Sequence, residues 1–318
     1  MEPHATHWVD RLDPIAIHIH GNFGVRYYGL AYLLAFAAGY LMLRLFYRAG
    51  RSPLDAKMMD SAVFVLVLGV MIGARLGYMI LYSWPEFIRN PLIVIKIWEG
   101  GMSSHGGFIG VAIALWWVSR KCRIRFLLLS DLLCPIAPLG LLLGRIANYI
   151  NGELWGRVSD VPWAVIFPHS APPGTPIGLI APRHPSQLYE AFLEGALLLA
   201  YSQWRFWRTG ASRTPGRLSG EFLILYAVVR VIGEQFREPD ASLILGMSRG
   251  IFYSLFMVLV GLTLVVWSSR GSAEKRNGNT ASSPSTKPAK ANPTTSSWPV
   301  RKQETESVGM PAIKAVIK

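Results

Sequence analysis

The sequence predicts an all-α polytopic membrane protein with seven transmembrane helices. Of its 318 residues, 51% are hydrophobic and only 16% are charged, whereas a soluble domain carries about 25% charged residues. The apolar residues are gathered into stretches that each approach the ~20 residues needed to cross a bilayer core. We therefore predict spans at 27–47, 61–82, 104–120, 131–150, 186–206, 219–236 and 249–269.

Prolines and charged residues modify three parts of this pattern. Pro135 and Pro138 predict a bend at the start of the fourth span, because proline lacks a backbone donor and clashes with the preceding turn. Arg230 and Glu234 interrupt the sixth span. Residues 83–103 combine Trp-Pro and Asn-Pro pairs with aromatic and apolar residues, which predicts a short amphipathic segment at the membrane surface.

Basic residues set the predicted orientation. They are concentrated in the first, third and fifth connections and after the seventh span, and cytoplasmic loops carry such an excess. The N-terminus is therefore predicted outside and the C-terminus in the cytoplasm. The basic residues that decide this are Arg44, Arg48, Arg51, Lys57, Arg120, Lys121, Arg123, Arg125, Arg205, Arg208, Arg213, Arg217, Arg270, Lys275 and Arg276.

The chain divides into a membrane domain over 1–270 and a tail over 271–318. The tail is rich in Ser, Thr, Pro, Lys and Asn, which predicts a disordered basic cytoplasmic segment. Within the membrane domain, the proline-rich connection 151–185 predicts a small extracytoplasmic cap. The net charge of +13 lies in loop clusters and the tail without an RNA-binding motif. We therefore expect a lipid bilayer as partner and no nucleic acid.

Close helix packing is predicted from the glycine pattern. Gly69, Gly73 and Gly77 recur every four residues on the second span. Gly140 and Gly144 have the same spacing on the fourth. Small residues at this spacing let membrane helices approach closely.

The cysteines and acidic residues do not indicate metal chemistry. Cys122 and Cys134 have no Cys or His neighbour at metal-ligand spacing, and we expect both to be reduced and structural. A metal-dependent phosphotransferase would need an acidic cluster on the cytoplasmic face. Asp131 is the only carboxylate inside an inner helix end, and Asp55 and Asp60 do not form such a cluster with it. We predict no metal site.

Polar side chains from five predicted spans meet at the outer leaflet. Arg145 and Arg237 are two guanidinium groups at one depth with few carboxylates to match them, which suits a phosphate. His105, between Ser104 and two glycines at a helix start, could move a proton. The polar residues at these ends are Tyr28, His105, Arg145, Asn148, Glu153, His184, Ser186, Gln187, Glu190, Glu234 and Arg237.

A phosphate bound inside a membrane protein at the outer leaflet is most simply a phospholipid headgroup. Asn148, Asn151 and Glu153 could hold the hydroxyls of a polyol headgroup. These residues favour a phospholipid-handling enzyme or carrier, and they do not name a reaction. The main alternative is a phospholipid transporter or flippase that binds the headgroup. A transporter would have polar groups near the midplane and a repeated half-structure, whereas here the polar groups crowd one leaflet.

Helical spacing groups further charges. Glu190 and Glu194 share a face of the fifth span, as Arg230 and Glu234 do on the sixth. Arg75, midway along the second span, is a further buried cation. One interpretation is a structural ion pair with Glu190 or Glu194 that fixes the order of the helices. The other is a functional role for Arg75.

Six stretches together resemble the bacterial prolipoprotein diacylglyceryl transferases. Their order and positions cover roughly residues 8–270, and the tail lies outside the resemblance. A single short motif arises by chance, but six in order identify a family. The stretches are Tyr28-Gly29-Leu30, Gly73–Tyr78, Gly100–Gly107, Gly144–Gly156, Arg183–Glu190 and Glu234–Asp240.

The resemblance implies a reaction. Such enzymes move the sn-1,2-diacylglyceryl group of phosphatidylglycerol to the thiol of the lipobox cysteine in a prolipoprotein signal peptide, and glycerol phosphate leaves. They act at the outer leaflet of the bacterial inner membrane, and no cofactor or metal is implied. Carried onto this chain, the resemblance implies functional roles for Tyr28, His105, Arg145, Asn148, Glu153, Gly156 and Arg237.

The implied chemistry assigns roles to these residues. Arg145 and Arg237 would stabilise the charge on the leaving phosphate, and His105 would accept the thiol proton. Tyr28 would position the headgroup or relay the proton. We expect the substrate-binding residues to be Asn148, Asn151, Glu153, Gly156, Gln187 and Glu234. Neither cysteine of this chain is expected to react.

Overall fold

The computed structural model describes residues 7–20, 23–96, 100–239 and 243–281, and helices dominate it. The helices are α1 (Tyr27–Arg48), α2 (Ala56–Leu81), α3 (Trp84–Arg89), α4 (Ser104–Cys122), α5 (Phe126–Leu133), α6 (Ala137–Ile150), α7 (Ser186–Glu190), α8 (Leu198–Arg208), α9 (Arg217–Glu234) and α10 (Arg249–Ala281). Between α7 and α8 the chain continues as a π-helix, Ala191–Leu197. The strands are β1 (Trp8–Val9), β2 (Ile15–His20), β3 (Phe23–Arg26) and β4 (Val165–Ile166).

A helix lies at each of the seven predicted span positions. By length and composition, α1, α2 and the first 22 residues of α10 can each cross a membrane. The bent pair of α5 and α6 qualifies as a fourth span if the two helices are counted together. The chain is therefore a helical, multi-pass membrane protein. The other predicted spans are helical, and seven crossings remain a prediction.

The predicted bend in the fourth span is confirmed. Helices α5 and α6 meet at 45°, and Pro135 lies in the break while Pro138 occupies the first turn of α6. Proline at a first helical turn costs no hydrogen bond, because the donors there have no intrahelical partner. The chain can therefore restart as a helix directly after the break.

Glycine packing between α2 and α4 is also confirmed. A Cβ added at Gly73 would lie 2.8 Å from Gly110 Cα, and one added at Gly69 would lie 2.8 Å from Ala114 Cβ. The backbones of the two helices are thus too close for any side chain at these positions. The same prediction for the fourth span was wrong at Gly144, where an added Cβ would meet nothing within 4 Å.

The segment between α2 and α4 folds over the side chain of Arg75. It contains α3 and a 3₁₀ helix, Pro91–Ile95, as its aromatic and apolar composition predicted. Arg75 is 4% exposed and donates to backbone carbonyls of this segment at 2.6–3.1 Å, with a further contact to Gly100 O. A pairing of Arg75 with Glu190 or Glu194 is therefore wrong, because carbonyl oxygens satisfy the guanidinium instead. The other carbonyls belong to Ile93, Val94, Lys96 and Gly101.

The predicted cap folds back on itself and on the start of the chain. Strand β4 pairs in parallel with β1, and Arg183 forms bridges with both Val158 and Val165. Ala164, Ile166 and Phe167 are buried beneath these pairings. A small apolar centre therefore holds the cap in place.

At the opposite end of the helices, Asp131 of α5 holds the start of α9. Its two carboxylate oxygens accept hydrogen bonds from the backbone N–H groups of Gly216 and Ser219, each at 2.7 Å. The Ser219 hydroxyl adds a third at 2.6 Å. Helix α9 has no side-chain cap of its own at its N-cap residue, so a neighbouring helix supplies the acceptors that its first turn needs.

Candidate active site

Three arginines and three glutamates form one ion-pair cluster, which we call the arginine–glutamate cluster. Its centre is a pair of fully buried carboxylates, Glu190 and Glu194. Arg145 contacts one oxygen of each: Nη1 lies 3.0 Å from Glu190 Oε2, and Nη2 lies 3.0 Å from Glu194 Oε2. Arg230 Nη1 donates to the opposite oxygen, Oε1, of both glutamates at 2.9 Å. The two carboxylates thus lie between two guanidinium groups.

The remaining members extend the cluster along α9. Arg237 Nη1 donates to both oxygens of Glu190, at 3.1 and 3.2 Å. Arg230 Nη2 lies 2.7 Å from Glu234 Oε2. Arg145 and Arg237 therefore share Glu190, and the two arginines that the sequence singled out lie on the same carboxylate.

The expectation that few carboxylates match these arginines was wrong. Three glutamates face three arginines, so the six side chains are together neutral in their ordinary ionisation states. A charge buried without a partner is strongly unfavourable, and this accounts for the match. A phosphate that reaches Arg145 must therefore compete with carboxylates already in contact with it.

Local backbone structure brings the two central glutamates together. They flank and occupy the π-helix, whose turns are wider than those of an α-helix and which often occurs at functional sites. Gly195 allows this segment to approach α6, since a Cβ there would lie 2.6 Å from Leu142 Cβ. Gly233 does the same for α9, where a Cβ would lie 3.4 Å from Glu190 Cγ. Glycines thus let three helices close around the charges.

A second polar group surrounds Glu153, after the end of α6. Asn148 Nδ2 donates to Glu153 Oε1 at 2.9 Å and to the Tyr28 hydroxyl at 3.4 Å. Asn151 Nδ2 also donates to Glu153 Oε1, at 3.3 Å. Gln187 Nε2 donates to the Glu153 backbone carbonyl at 2.7 Å. Five of the predicted site residues are therefore in direct contact with one another.

The turn that carries Glu153 has unusual backbone angles. Gly152 (φ +60°) and Leu154 (φ +57°) are both in the left-handed region, which a non-glycine residue rarely adopts. Gly156 follows where three segments cross: its N–H donates to His184 O at 2.9 Å, and it forms a bridge with Arg237. Any side chain at Gly156 would meet the His184 side chain and backbone. The structure therefore gives Gly156 a packing role beside the site.

His105 lies near the arginine–glutamate cluster and contacts it through helix α10. Its side chain is exposed, and its ring packs edge-on against Tyr253 of α10 with centroids 5.4 Å apart. One turn earlier on α10, Gly250 faces the cluster, since a Cβ there would lie 2.7 Å from Glu234 Cδ. Within the described residues no hydrogen bond joins His105 to the cluster. Helix α10 therefore contacts both His105, through Tyr253, and the cluster, through Gly250.

An apolar pocket of about 480 Å³ lies beside the cluster. Two of its lining residues, Tyr189 and Phe236, immediately precede Glu190 and Arg237 in the chain. His184 lies two residues before the start of α7, and burial lowers the pKa of its imidazole below the usual value. This imidazole is therefore neutral at pH 7 and adds no charge to the pocket. The pocket is lined by Trp163, His184, Leu188, Tyr189, Phe192, Leu193 and Phe236.

The sequence model of the prolipoprotein diacylglyceryl transferase family matches residues 14–267. The chain belongs to this family. Proteins named phosphatidylglycerol–prolipoprotein diacylglyceryl transferase are similar to it along nearly their whole length. The protein from Bradyrhizobium diazoefficiens is 42% identical over 82% of this chain and 93% of its own. The one from Bordetella avium is 44% identical over 83% of this chain and 98% of its own.

Three residues of the cluster were missing from the predicted site: Arg230, Glu190 and Glu194. Both glutamates contact Arg145, and Arg230 contacts both glutamates, although none of the three was assigned a catalytic or substrate-binding role. The available signal was their spacing: Arg230 lies one turn before Glu234, and Glu194 one turn after Glu190. That spacing identifies a shared face, but the partner on the neighbouring helix becomes visible only in the structure.

Proposed function

We propose that this protein transfers the sn-1,2-diacylglyceryl group of phosphatidylglycerol to the lipobox cysteine thiol of prolipoproteins, the first step of bacterial lipoprotein maturation. Membership of the family and the names of its relatives support the reaction. The observation that carries it to particular residues is the joint contact of Arg145 and Arg237 with Glu190, next to the polar group around Glu153.

The reaction exchanges one bond for another. The substrate thiolate attacks the glyceryl carbon, a carbon–sulfur bond forms, and the carbon–oxygen bond to phosphate breaks. The bonding electrons leave with the phosphate oxygen, so negative charge grows on glycerol phosphate. Arg145 and Arg237 stabilise this charge in a site shielded from water. No cofactor enters this balance.

The polar group around Glu153 is suited to the glycerol headgroup. Two buried acceptor atoms there, Asn151 Oδ1 and Gln187 Oε1, have no hydrogen-bond partner within the described part of the chain. A buried acceptor without a donor is unfavourable, and the hydroxyls of a polyol can supply the missing donors. Asn148 orients the carboxylate of Glu153 and also donates to the Tyr28 hydroxyl, and Gly156 holds the turn against Arg237.

The thiol must lose its proton before it attacks, because the thiolate is the nucleophile. We assign this step to His105, directly or through water, with Tyr28 as a relay. His105 is exposed and can meet a substrate that comes from outside the helices. Glu234 lies between the first turn of α10 and Arg230, where it can hold Arg230 against the start of α10.

The proposed topology puts this site at the outer leaflet of the bacterial inner membrane. The chain crosses seven times, with its N-terminus outside and the C-terminal tail 271–318 in the cytoplasm. Basic clusters at the opposite helix ends support this orientation. In it, membrane domain 1–270 carries the 151–185 cap on the side from which a translocated prolipoprotein arrives.

The test is a reconstituted transfer assay. Purified protein in vesicles is mixed with phosphatidylglycerol labelled in its acyl chains and with a lipobox peptide. We expect labelled lipid on the peptide through a thioether that resists hydroxylamine. A peptide with Ser in place of Cys, and vesicles of phosphatidylethanolamine alone, serve as controls and should give none. A flippase would move labelled lipid between leaflets without labelling any peptide, and that result would refute the proposal.

A further inference from the structure

All three nitrogens of the Arg145 guanidinium group contact Glu190 or Glu194, so a phosphate must compete with these carboxylates for it. Its Nε and Nη2 both donate to Glu194 Oε2, at 3.3 and 3.0 Å, and Nη1 lies 3.0 Å from Glu190 Oε2. The arginine side chain is 16% exposed, whereas both carboxylates are 0% exposed. An anion therefore reaches Arg145 from its open side, and the carboxylates stay behind in the protein.

Turning Arg145 toward a phosphate would leave these carboxylates with fewer partners. A buried carboxylate that loses its only cation is strongly destabilised. The two glutamates differ in this respect. Glu190 keeps two cations, Arg230 through Oε1 and Arg237 through both oxygens. Glu194 keeps Arg230 alone, through Oε1 at 2.9 Å.

We propose that Arg230 is a positioning residue that releases Arg145 for the phosphate by remaining as the counterion of Glu194. The idea rests on the function proposed above and adds to it an exchange of counterions. In the resting site Glu194 has two cations, one on each oxygen. During turnover Arg145 moves to the phosphate, and Arg230 keeps the buried charge compensated.

The surroundings of Arg230 fit this role. Its side chain is 13% exposed, and it also lies 2.7 Å from Glu234, so it is held from two sides. A glycine of α10, Gly250, packs over it, since a Cβ there would lie 2.9 Å from Arg230 Nε. Arg230 therefore has no room to follow Arg145 toward the open side.

The decisive experiment compares single and double variants in the transfer assay. Arg230→Met should lower kcat/KM on the order of a hundredfold, because Arg145 is then held by an otherwise unpaired Glu194. Adding Glu194→Gln removes the charge that holds Arg145 and should restore activity at least about tenfold over Arg230→Met. Adding Glu190→Gln should restore much less, since Glu190 still has the contact of Arg237 Nη1 when Arg230 is absent.

A matched ion-pair group provides the control. At the other end of α9, Glu221 contacts both Arg217 of α9 and Arg205 of α8. Arg205→Met, with and without Glu221→Gln, should leave kcat/KM within about threefold of the parent, as expected for a change remote from the site. Wild-type activity in the same vesicles establishes the transfer reaction itself, so a failure of the counterion exchange is distinguishable from a failure of the proposed function.

Two results would overturn the inference. One is near-normal activity of folded Arg230→Met. The other is equal activity of Arg230→Met with and without Glu194→Gln. If Arg230→Met does not accumulate in the membrane, two other variants test the inference: Arg230→Met with Glu194→Gln, which keeps the charges balanced, and Arg230→Lys. Both should be folded and should stay within about tenfold of wild type, and an inactive but folded double variant would contradict the role.

Discussion

Replacing Arg145 by lysine keeps the positive charge and removes the geometry of the guanidinium group. In the structure Arg145 uses three nitrogens, Nε, Nη1 and Nη2, on two carboxylates. A lysine presents one nitrogen and cannot form the parallel pair of bonds that a phosphate accepts from arginine. We therefore expect the variant to insert and fold but to stabilise the leaving phosphate poorly.

The size of the effect follows from the bonds lost. Lysine replaces a two-bond contact with the phosphate by a single bond, and a hydrogen bond to a charged group contributes about 1.5–3 kcal/mol. One lost bond thus lowers kcat/KM about 10- to 150-fold. The total charge of the arginine–glutamate cluster is unchanged, so the loss should appear in transfer and not in membrane abundance.

The assay is transfer of labelled diacylglyceryl to a lipobox peptide in vesicles, with thermal unfolding in detergent as the measure of folding. Arg205→Lys is the matched control, because Arg205 of α8 forms a comparable bidentate pair with Glu221 of α9, away from the arginine–glutamate cluster. It should retain nearly full activity. The loss of one such bond should lower transfer by more than about threefold. Transfer by Arg145→Lys within about threefold of wild type would therefore refute the phosphate role of Arg145.

Three further outcomes are expected. His105→Gln should lower transfer on the order of a hundredfold, as for the loss of a general base, and full turnover of this variant across pH would rule the base out. Gly73→Val should lower the free energy of unfolding by about 2–3 kcal/mol or prevent folding, since it forces a side chain against the opposing backbone. Gly144→Val, with open space around it, should lower the free energy of unfolding less in the same measurement. The double variant Cys122→Ser, Cys134→Ser should remain active, because both are free thiols and the reacting thiol belongs to the substrate; a folded but inactive protein would show otherwise.

The sequence predicted the helices well because each carries its own signal. Apolar stretches located all the long helices, and Pro135 located the bend between α5 and α6. Glycine spacing located the α2–α4 contact, where the effect of a side chain depends only on the backbone separation. Such features are local, and each could be read from a single stretch of chain.

The partners of the buried charges could not be predicted in the same way. Arg75 is satisfied by backbone carbonyls, which every residue has and no sequence pattern marks. For Arg145, helical spacing identified candidate glutamates, but the contact with Glu190 and Glu194 depends on the rotation of one helix relative to the next. That rotation brings Gly195 against Leu142, a contact that the sequence does not indicate.

The π-helix between α7 and α8 makes chain length itself a determinant of activity. A turn of π-helix holds about one residue more than a turn of α-helix, so removing one residue from 191–197 would return the segment to α geometry and leave α7 and α8 in nearly the same relative orientation. A deletion between the two central glutamates would shorten their spacing from four residues to three, and Glu190 and Glu194 could then no longer both face Arg145 and Arg230. The segment should therefore tolerate conservative substitutions between Glu190 and Glu194 better than a deletion there.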